Sequence, residues 1–202
     1  MLHEEHLYSI ALRATPLIGD VNFMRLVEIT GSAKETWHLS KKLLKEIPGI
    51  GSKITKEIGN EKYLKFAEKE IDFCEKNNIK INLRHLKELP KLLSNCDDAP
   101  AILYQKGSLD ESLTPISIVG TRNMTSYGKH FIEEFLEILK NKKILIVSGL
   151  ALGTDGCAHT EALKNQLKTA GVLAHGLHLI YPSQHKKLAA EILEQDGALL
   201  TE

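Results

Sequence analysis

Three glycine-bearing turns carry most of the residues that could do chemistry. The first, Gly120-Thr121-Arg122-Asn123-Met124-Thr125-Ser126-Tyr127-Gly128, joins a short apolar run to a helical pattern. Ser126 or Thr125 can cap that helix, leaving the amides of its first turn free to donate to an anion. Arg122 is the sole arginine of the second half of the chain. A guanidinium on a strand-end turn beside a helix start suits bidentate phosphate binding; the plainer alternative is a surface ion pair. Gly120 and Gly128 do not give the dinucleotide fingerprint, and no Gly-Lys-Ser/Thr follows, so neither a dinucleotide site nor a P-loop is indicated.

The second turn is Ser148-Gly149-Leu150-Ala151-Leu152-Gly153-Thr154-Asp155. Gly149 and Gly153 let the backbone come close to a ligand or to a neighbouring turn. Asp155 and His159 stand four apart, on one helical face. They could be an acid/base pair, but no nucleophile or metal ligand completes one. The structural reading is a buried hydrogen bond between them that fixes the turn. The third turn, His175-Gly176-Leu177-His178, leads to Tyr181-Pro182. Two histidines three apart hint at a metal, yet no third ligand follows at suitable spacing, so no metal is expected.

A fourth element lies upstream. Pro48-Gly49-Ile50-Gly51 sits between two short helical patterns and ahead of Ser52 and Lys53. A glycine hairpin opening into a helix exposes amides that a DNA phosphate can occupy. This resembles a helix-hairpin-helix element, with Gly49, Ile50, Gly51, Ser52 and Lys53 as the expected DNA contacts. Pro16-Leu17-Ile18-Gly19 resembles a weaker copy with Leu at the first glycine position. The alternative is that the hairpin is only a packing unit.

These residues must be positioned by two kinds of structure. Before about residue 107 the pattern is helical, with helices expected at His6–Arg13, Asp20–Thr30, Ser32–Leu39, Ser40–Glu46, Ser52–Ile58 and Asn60–Asn77. After Gly107–Pro115 it alternates. Strands are expected at Ile116–Val119, Ile144–Val147, Thr169–Ala174 and Ala198–Thr201, with helices at Tyr127–Lys140, Asp155–Gln166 and His185–Gln195. Such alternation means an α/β Rossmann-like fold, a parallel sheet with helices on both faces. Its ligands bind at the carboxyl ends of the strands. A small all-α helix-hairpin-helix (SAM-like) module is expected over residues 1–84 and the Rossmann-like domain over 85–202.

Composition excludes several classes. The 202 residues carry 26 Lys plus Arg and 26 Asp plus Glu, so no global basic charge marks a nucleic-acid binder. Charge is nonetheless uneven: Lys41 to Lys91 holds 13 basic and 8 acidic residues, a net of +5. At 5% aromatics the chain is poor in the stacking platforms of single-strand-binding proteins. Its three cysteines are odd in number and widely spaced, which indicates neither a disulfide framework nor a zinc motif and suits a reducing compartment. Charged residues crowd the first 13 positions and no apolar run reaches about 18 residues, so neither a secretory signal nor a membrane span is read and a cytoplasmic protein is expected.

Taken together, Val119-Gly120-Thr121-Arg122, Ser126-Tyr127-Gly128, Ser148-Gly149-Leu150-Ala151 with Gly153 and Asp155, Ala158-His159, Gly176-Leu177, Tyr181-Pro182 and Gly197 to Glu202 closely resemble the DNA-processing protein A family, also called DprA or Smf. Leu89-Pro90, Asp98-Ala99-Pro100 and Ile102-Leu103-Tyr104 look like that family's lead-in. The resemblance implies single-stranded DNA binding without sequence preference, protection of incoming DNA in natural transformation (competence), and loading of the RecA recombinase. It implies no catalytic activity and no cofactor. Gly120, Thr121, Arg122, Ser126, Ser148 and Gly149 become the expected DNA phosphate contacts, and Gly153, Asp155, His159 and Gly176 the residues that hold the turns. Leu152 departs from the family, which often carries a cation there. The family also continues past the position of Glu202 with a further DNA-contacting turn and its homodimer surface, so the sequence reads as a truncated form in which the dimer is lost. Two rivals remain at this point: a nucleotide-binding or nucleotide-hydrolysing Rossmann-like enzyme, and a pure interaction module.

Overall fold

The computed structural model describes residues 2–202. They divide into two units, residues 2–103 and 104–202. The first unit opens with six helices: α1 (Leu2–Arg13), α2 (Asp20–Thr30), α3 (Ala33–His38), α4 (Lys41–Glu46), α5 (Ser52–Glu57) and α6 (Glu61–Lys76). Polar caps set several of their starts. Ser32 Oγ accepts from Glu35 N at 3.0 Å, and Asn60 Oδ1 accepts from Lys62 N at 3.1 Å. Phe23, Leu12, Ile18 and Leu26 are fully buried and hold these short helices together, since six-residue helices have little stability of their own.

The two hairpins are geometrical copies. Leu17 has φ 68° and Gly49 φ 84°, both left-handed. Ile18 and Ile50 are both buried. Gly19 (φ −80°, ψ 178°) and Gly51 (φ −76°, ψ 169°) then serve as N-caps of α2 and α5. The first copy keeps this conformation with a leucine, at the steric expense that a Cβ brings in that region.

The zone expected to be wholly helical ends in a strand, β1 (Ile79–Leu83), followed by a 3-10 turn at Arg84–Leu86 and the one-turn helix α7 (Lys91–Ser94). Strand β2 (Ile102–Gly107) comes next. Neither β1 nor β2 was anticipated by the alternation pattern. The remaining elements are β3 (Thr114–Ser117), α8 (Ser126–Ile138), β4 (Ile144–Ser148), α9 (Thr154–Lys164), β5 (Lys168–Val172), a 3-10 turn at Ser183–His185, α10 (Lys186–Glu194) and β6 (Ala198–Thr201). The sheet order is β1-β2-β6-β5-β4-β3. Strands β3 to β6 are parallel, but β2 runs antiparallel to β6, with Tyr104 opposite Thr201. The sheet is therefore mixed and mostly parallel rather than wholly parallel, with helices on both sides.

Two apolar clusters fix the strand ends. Ile132 and Leu136 of α8 pack with Ile146 of β4 and with Ala158 and Ala162 of α9. Leu150, Leu163, Leu173, Leu188, Ile192 and Leu199 form the second cluster, under α9 and α10. Strand β3 ends the sheet. Thr114 N and Ile118 N bond β4, so Pro115 falls on the side away from β4, where a missing N–H breaks no ladder.

Candidate functional site

The carboxyl ends of β3, β4 and β5 each run into one of the three turns singled out in the sequence. Ser148, at the last position of β4, donates its hydroxyl to Ile118 O at 2.6 Å. Thr154, the first residue of α9, donates both its N–H (3.1 Å) and its hydroxyl (3.2 Å) to Thr121 O. The first and second turns are thus stapled twice. The close approach needs glycine. A Cβ at Gly120 would stand 2.7 Å from Thr154 Oγ1, and one at Gly149 would stand 2.7 Å from Asp155 Oδ2. Gly153, at φ 78°, lies directly against the carbonyl oxygens of Thr121 and Arg122.

A cleft of about 140 Å³ opens above these turns. Arg122, Gly149, Ala151, His175, Tyr181 and Pro182 line it, with Leu152 and Ala174 completing the wall. Arg122 is exposed and makes no ion pair or hydrogen bond among the described residues. Tyr181 is 68% exposed and Leu152 41%. Helix α8 starts beside the same turn. Thr125, not Ser126, caps it, with Oγ1 accepting from Gly128 N at 3.1 Å. The amides of Ser126 and Tyr127, in the first turn of the helix, therefore remain open. Thr121 Oγ1 accepts from Asn123 N at 3.1 Å and braces the loop that carries Arg122. An uncommitted guanidinium and glycine backbone on the cleft rim, with a helix start following in the same turn as Arg122, are groups that can take an anion.

Other singled-out residues are structural. Asp155 and His159 do not bond each other, contrary to the pairing read from their spacing. The Asp155 carboxylate accepts from Ala151 N (Oδ2, 3.3 Å) and so holds the second turn. His159 is fully buried and meets Thr169 Oγ1 through Nδ1 at 2.7 Å. Because the Thr169 hydroxyl donates to Ile146 O at 2.9 Å, His159 Nδ1 must be the donor. Burial, and then neighbouring His185, push the His159 pKa down to about 4. Among the described residues no three His, Cys, Asp or Glu side chains gather around His175 and His178. With the proton on Nδ1, the His175 ring donates to Gly176 O (3.3 Å) and accepts from Tyr181 N (Nε2, 3.3 Å), which closes the third turn. A Cβ at Gly176 would meet His178 Nδ1 at 2.7 Å.

In the first unit, Gly49, Gly51, Ser52 and Lys53 are exposed around the buried Ile50. Arg25 Nη1 donates to Pro48 O at 3.1 Å and lies where a Gly49 side chain would go. The first hairpin differs at its anion end. Asp20 occupies the first position of α2, accepting from Ala101 N (2.9 Å) and pairing with Arg13 Nε (3.0 Å). A carboxylate there repels a phosphate. Burial raises the Asp20 pKa, but the Ala101 amide and Arg13 outweigh it and hold the group below the usual carboxylate value. Glu5 was missed in the sequence. It accepts from Ala33 N (2.6 Å) and Lys34 N (3.3 Å) at the start of α3 and meets His85 Nε2 at 2.8 Å. No local pattern could have linked positions 28 and 80 residues apart.

Residues 80–202 match the family described as DNA recombination-mediator protein A. Protein Smf of Synechocystis is 32% identical over 212 residues, taking in all of this chain and 52% of the relative, so the chain spans about half that protein's length. The X-ray structure of DNA processing protein A from Streptococcus pneumoniae superposes with a TM-score of 0.69 at 24% identity, over 96% of this chain and 66% of that one. A structure of DNA processing protein A from Helicobacter pylori, described for its single-stranded DNA binding mode, gives a TM-score of 0.51 at 30% identity, over 61% of this chain and 54% of that one. The matched region contains all three strand-end turns and the cleft they frame, and on that ground the chain belongs to the DNA recombination-mediator protein A family.

Proposed function

We propose that this protein binds single-stranded DNA by its phosphate backbone, in the cleft at the ends of β3, β4 and β5, and serves DNA processing in natural transformation. In this reading it shields incoming strands and helps RecA recombinase load onto them. The observation that carries the reading is Arg122, an exposed guanidinium with no partner among the described residues, set beside the open start of α8. Family membership and the single-strand binding described for the Helicobacter pylori relative support it. Backbone contacts of this kind give affinity without sequence preference. Binding rather than catalysis fits the polar groups below the cleft. The Ser148 hydroxyl is committed to Ile118 O, the Asp155 carboxylate to Ala151 N and His159 to Thr169.

The second hairpin, Gly49 to Lys53, is a secondary contact that also tolerates duplex DNA. Its exposed residues and the net +5 of the Lys41–Lys91 segment support this, and the Asp20 carboxylate sets the first hairpin apart.

Arg122→Ala tests the main contact. It should weaken binding of a fluorescent oligothymidylate by about 1.5–3 kcal/mol, the range for hydrogen bonds to charged groups. It should also lower the salt dependence by about one ion and affect different sequences alike. Unchanged affinity at low salt, or turnover of nucleoside monophosphates by the parent protein, would overturn the reading.

A further inference from the structure

His185 lies 35 residues from the second turn in sequence, in the 3-10 turn that precedes α10, yet its ring reaches that turn. Nδ1 stands 2.8 Å from Leu150 O. A carbonyl only accepts, so Nδ1 carries the proton. The N–H of the same peptide unit, Ala151 N, donates to Asp155 Oδ2 at 3.3 Å. One peptide plane is therefore gripped at both ends, by an imidazole on one side and a carboxylate on the other.

That peptide needs gripping. Leu150 has φ 58°, a left-handed conformation that costs a β-carbon-bearing residue free energy, and its side chain is fully buried among Leu163, Leu173 and Ile192. Gly149 and Ala151, on either side of it, line the cleft, whereas His185 does not. The Leu150 carbonyl is thus turned away from the cleft. If the peptide rotated, an oxygen dipole would face the site of a bound phosphate. The fit around the ring is close. A Cβ at Gly156, inside α9, would stand 2.5 Å from His185 Cε1 and 2.8 Å from Nε2. The glycine in the first turn of this helix is what lets the imidazole reach Leu150.

We infer that His185 is a positioning residue for the strand-binding cleft, holding the Leu150–Ala151 peptide in the orientation that keeps the 149–151 rim receptive to phosphate. The inference rests on the reading of that cleft as the single-stranded DNA site.

Four variants of the 202-residue chain test it: His185→Ala, His185→Asn, Gly156→Ala and the double Gly156→Ala/His185→Ala. Three readouts are needed: oligothymidylate affinity, the 15N amide resonance of Ala151, and the melting temperature. His185→Ala should shift the Ala151 amide and weaken affinity about five- to tenfold, the loss of roughly one hydrogen bond. His185→Asn, whose amide nitrogen can replace Nδ1 as donor, should stay within about twofold of the parent. Gly156→Ala should lower affinity like His185→Ala when the ring is present. With the ring removed it should cause no further loss and should hold or raise the melting temperature, since alanine loses less backbone freedom than glycine on entering a helix. An unmoved Ala151 amide in His185→Ala overturns the inference whatever the affinity. So does a loss in His185→Asn equal to that in His185→Ala. If Arg122→Ala weakens binding and His185→Ala does not, the inference falls and the cleft reading stands. If neither weakens it, the cleft reading falls as well.

Discussion

At the scale of single residues, burial sets the protonation of His159. His159 lies fully buried against Thr169, and its pKa of about 4 is below the ordinary 6.5. The unfolded chain therefore takes up this proton first. The stability that the neutral ring contributes is complete above pH 6.5 and is lost as pH falls towards 4. Urea melts of the parent should show that decline, and His159→Gln should flatten it. An equal slope in the variant would assign the decline to other groups. Glu5 and Asp20 act in a lower window. Burial raises both, but their bonds from backbone amides and from His85 or Arg13 outweigh it and depress them, so their contribution fades below about pH 4.5. The spacing of Asp155 and His159 suggested a pair because both lie on one face of α9. The face was legible in the sequence. The identity of what packs on that face, Thr169 from β5 for one and the Ala151 amide for the other, was not.

At the scale of elements, the clearest case is the repeated hairpin. The recurrence of Pro-x-Ile-Gly after 32 residues was legible because a buried isoleucine and an N-capping glycine are fixed requirements of that turn. The position between them differs. Leu17 is 64% exposed in a left-handed conformation, so its side chain contributes strain and little burial. Leu17→Gly should hold or raise thermal stability, by up to about 1 kcal/mol. Gly49→Leu should do the reverse, lowering it by about 2 kcal/mol, because it adds that strain and displaces Arg25 from Pro48 O. Equal responses at the two sites would refute the equivalence of the hairpins. Strands β3 to β6 were read to within a few residues because they are short apolar runs between turn signals. Strand β1 escaped because Ile79-Lys80-Ile81-Asn82-Leu83 follows a long amphipathic helix and mixes polar with apolar positions. Its Asn82 is buried and donates to Leu103 O, a contact that no local pattern announces. The antiparallel direction of β2 was equally hidden, since direction depends on the path between strands and not on their residues.

At the scale of the whole molecule, the proposed function requires a neutral chain to hold an anionic ligand through local features. Net charge is zero, so in the proposed function the attraction comes from placed groups: Arg122, the start of α8 and the glycine rim of the second turn. The three turns were legible as glycine-rich strand ends. The staples that bring them together, Thr154 on Thr121 and His185 on Leu150, cross 33 and 35 residues and became visible only in three dimensions. The same separation allows one experiment to ask where a strand binds. A titration of the 15N-labelled 202-residue chain with oligothymidylate, followed by amide shifts, asks whether a strand binds at the ends of β3, β4 and β5. The account predicts saturable shifts that cluster at Gly120 to Tyr127 and Gly149 to Leu152, with weaker, more salt-sensitive shifts at Gly51, Ser52 and Lys53. Saturable binding that leaves the amides of Gly120 to Tyr127 and Gly149 to Leu152 unshifted would contradict it.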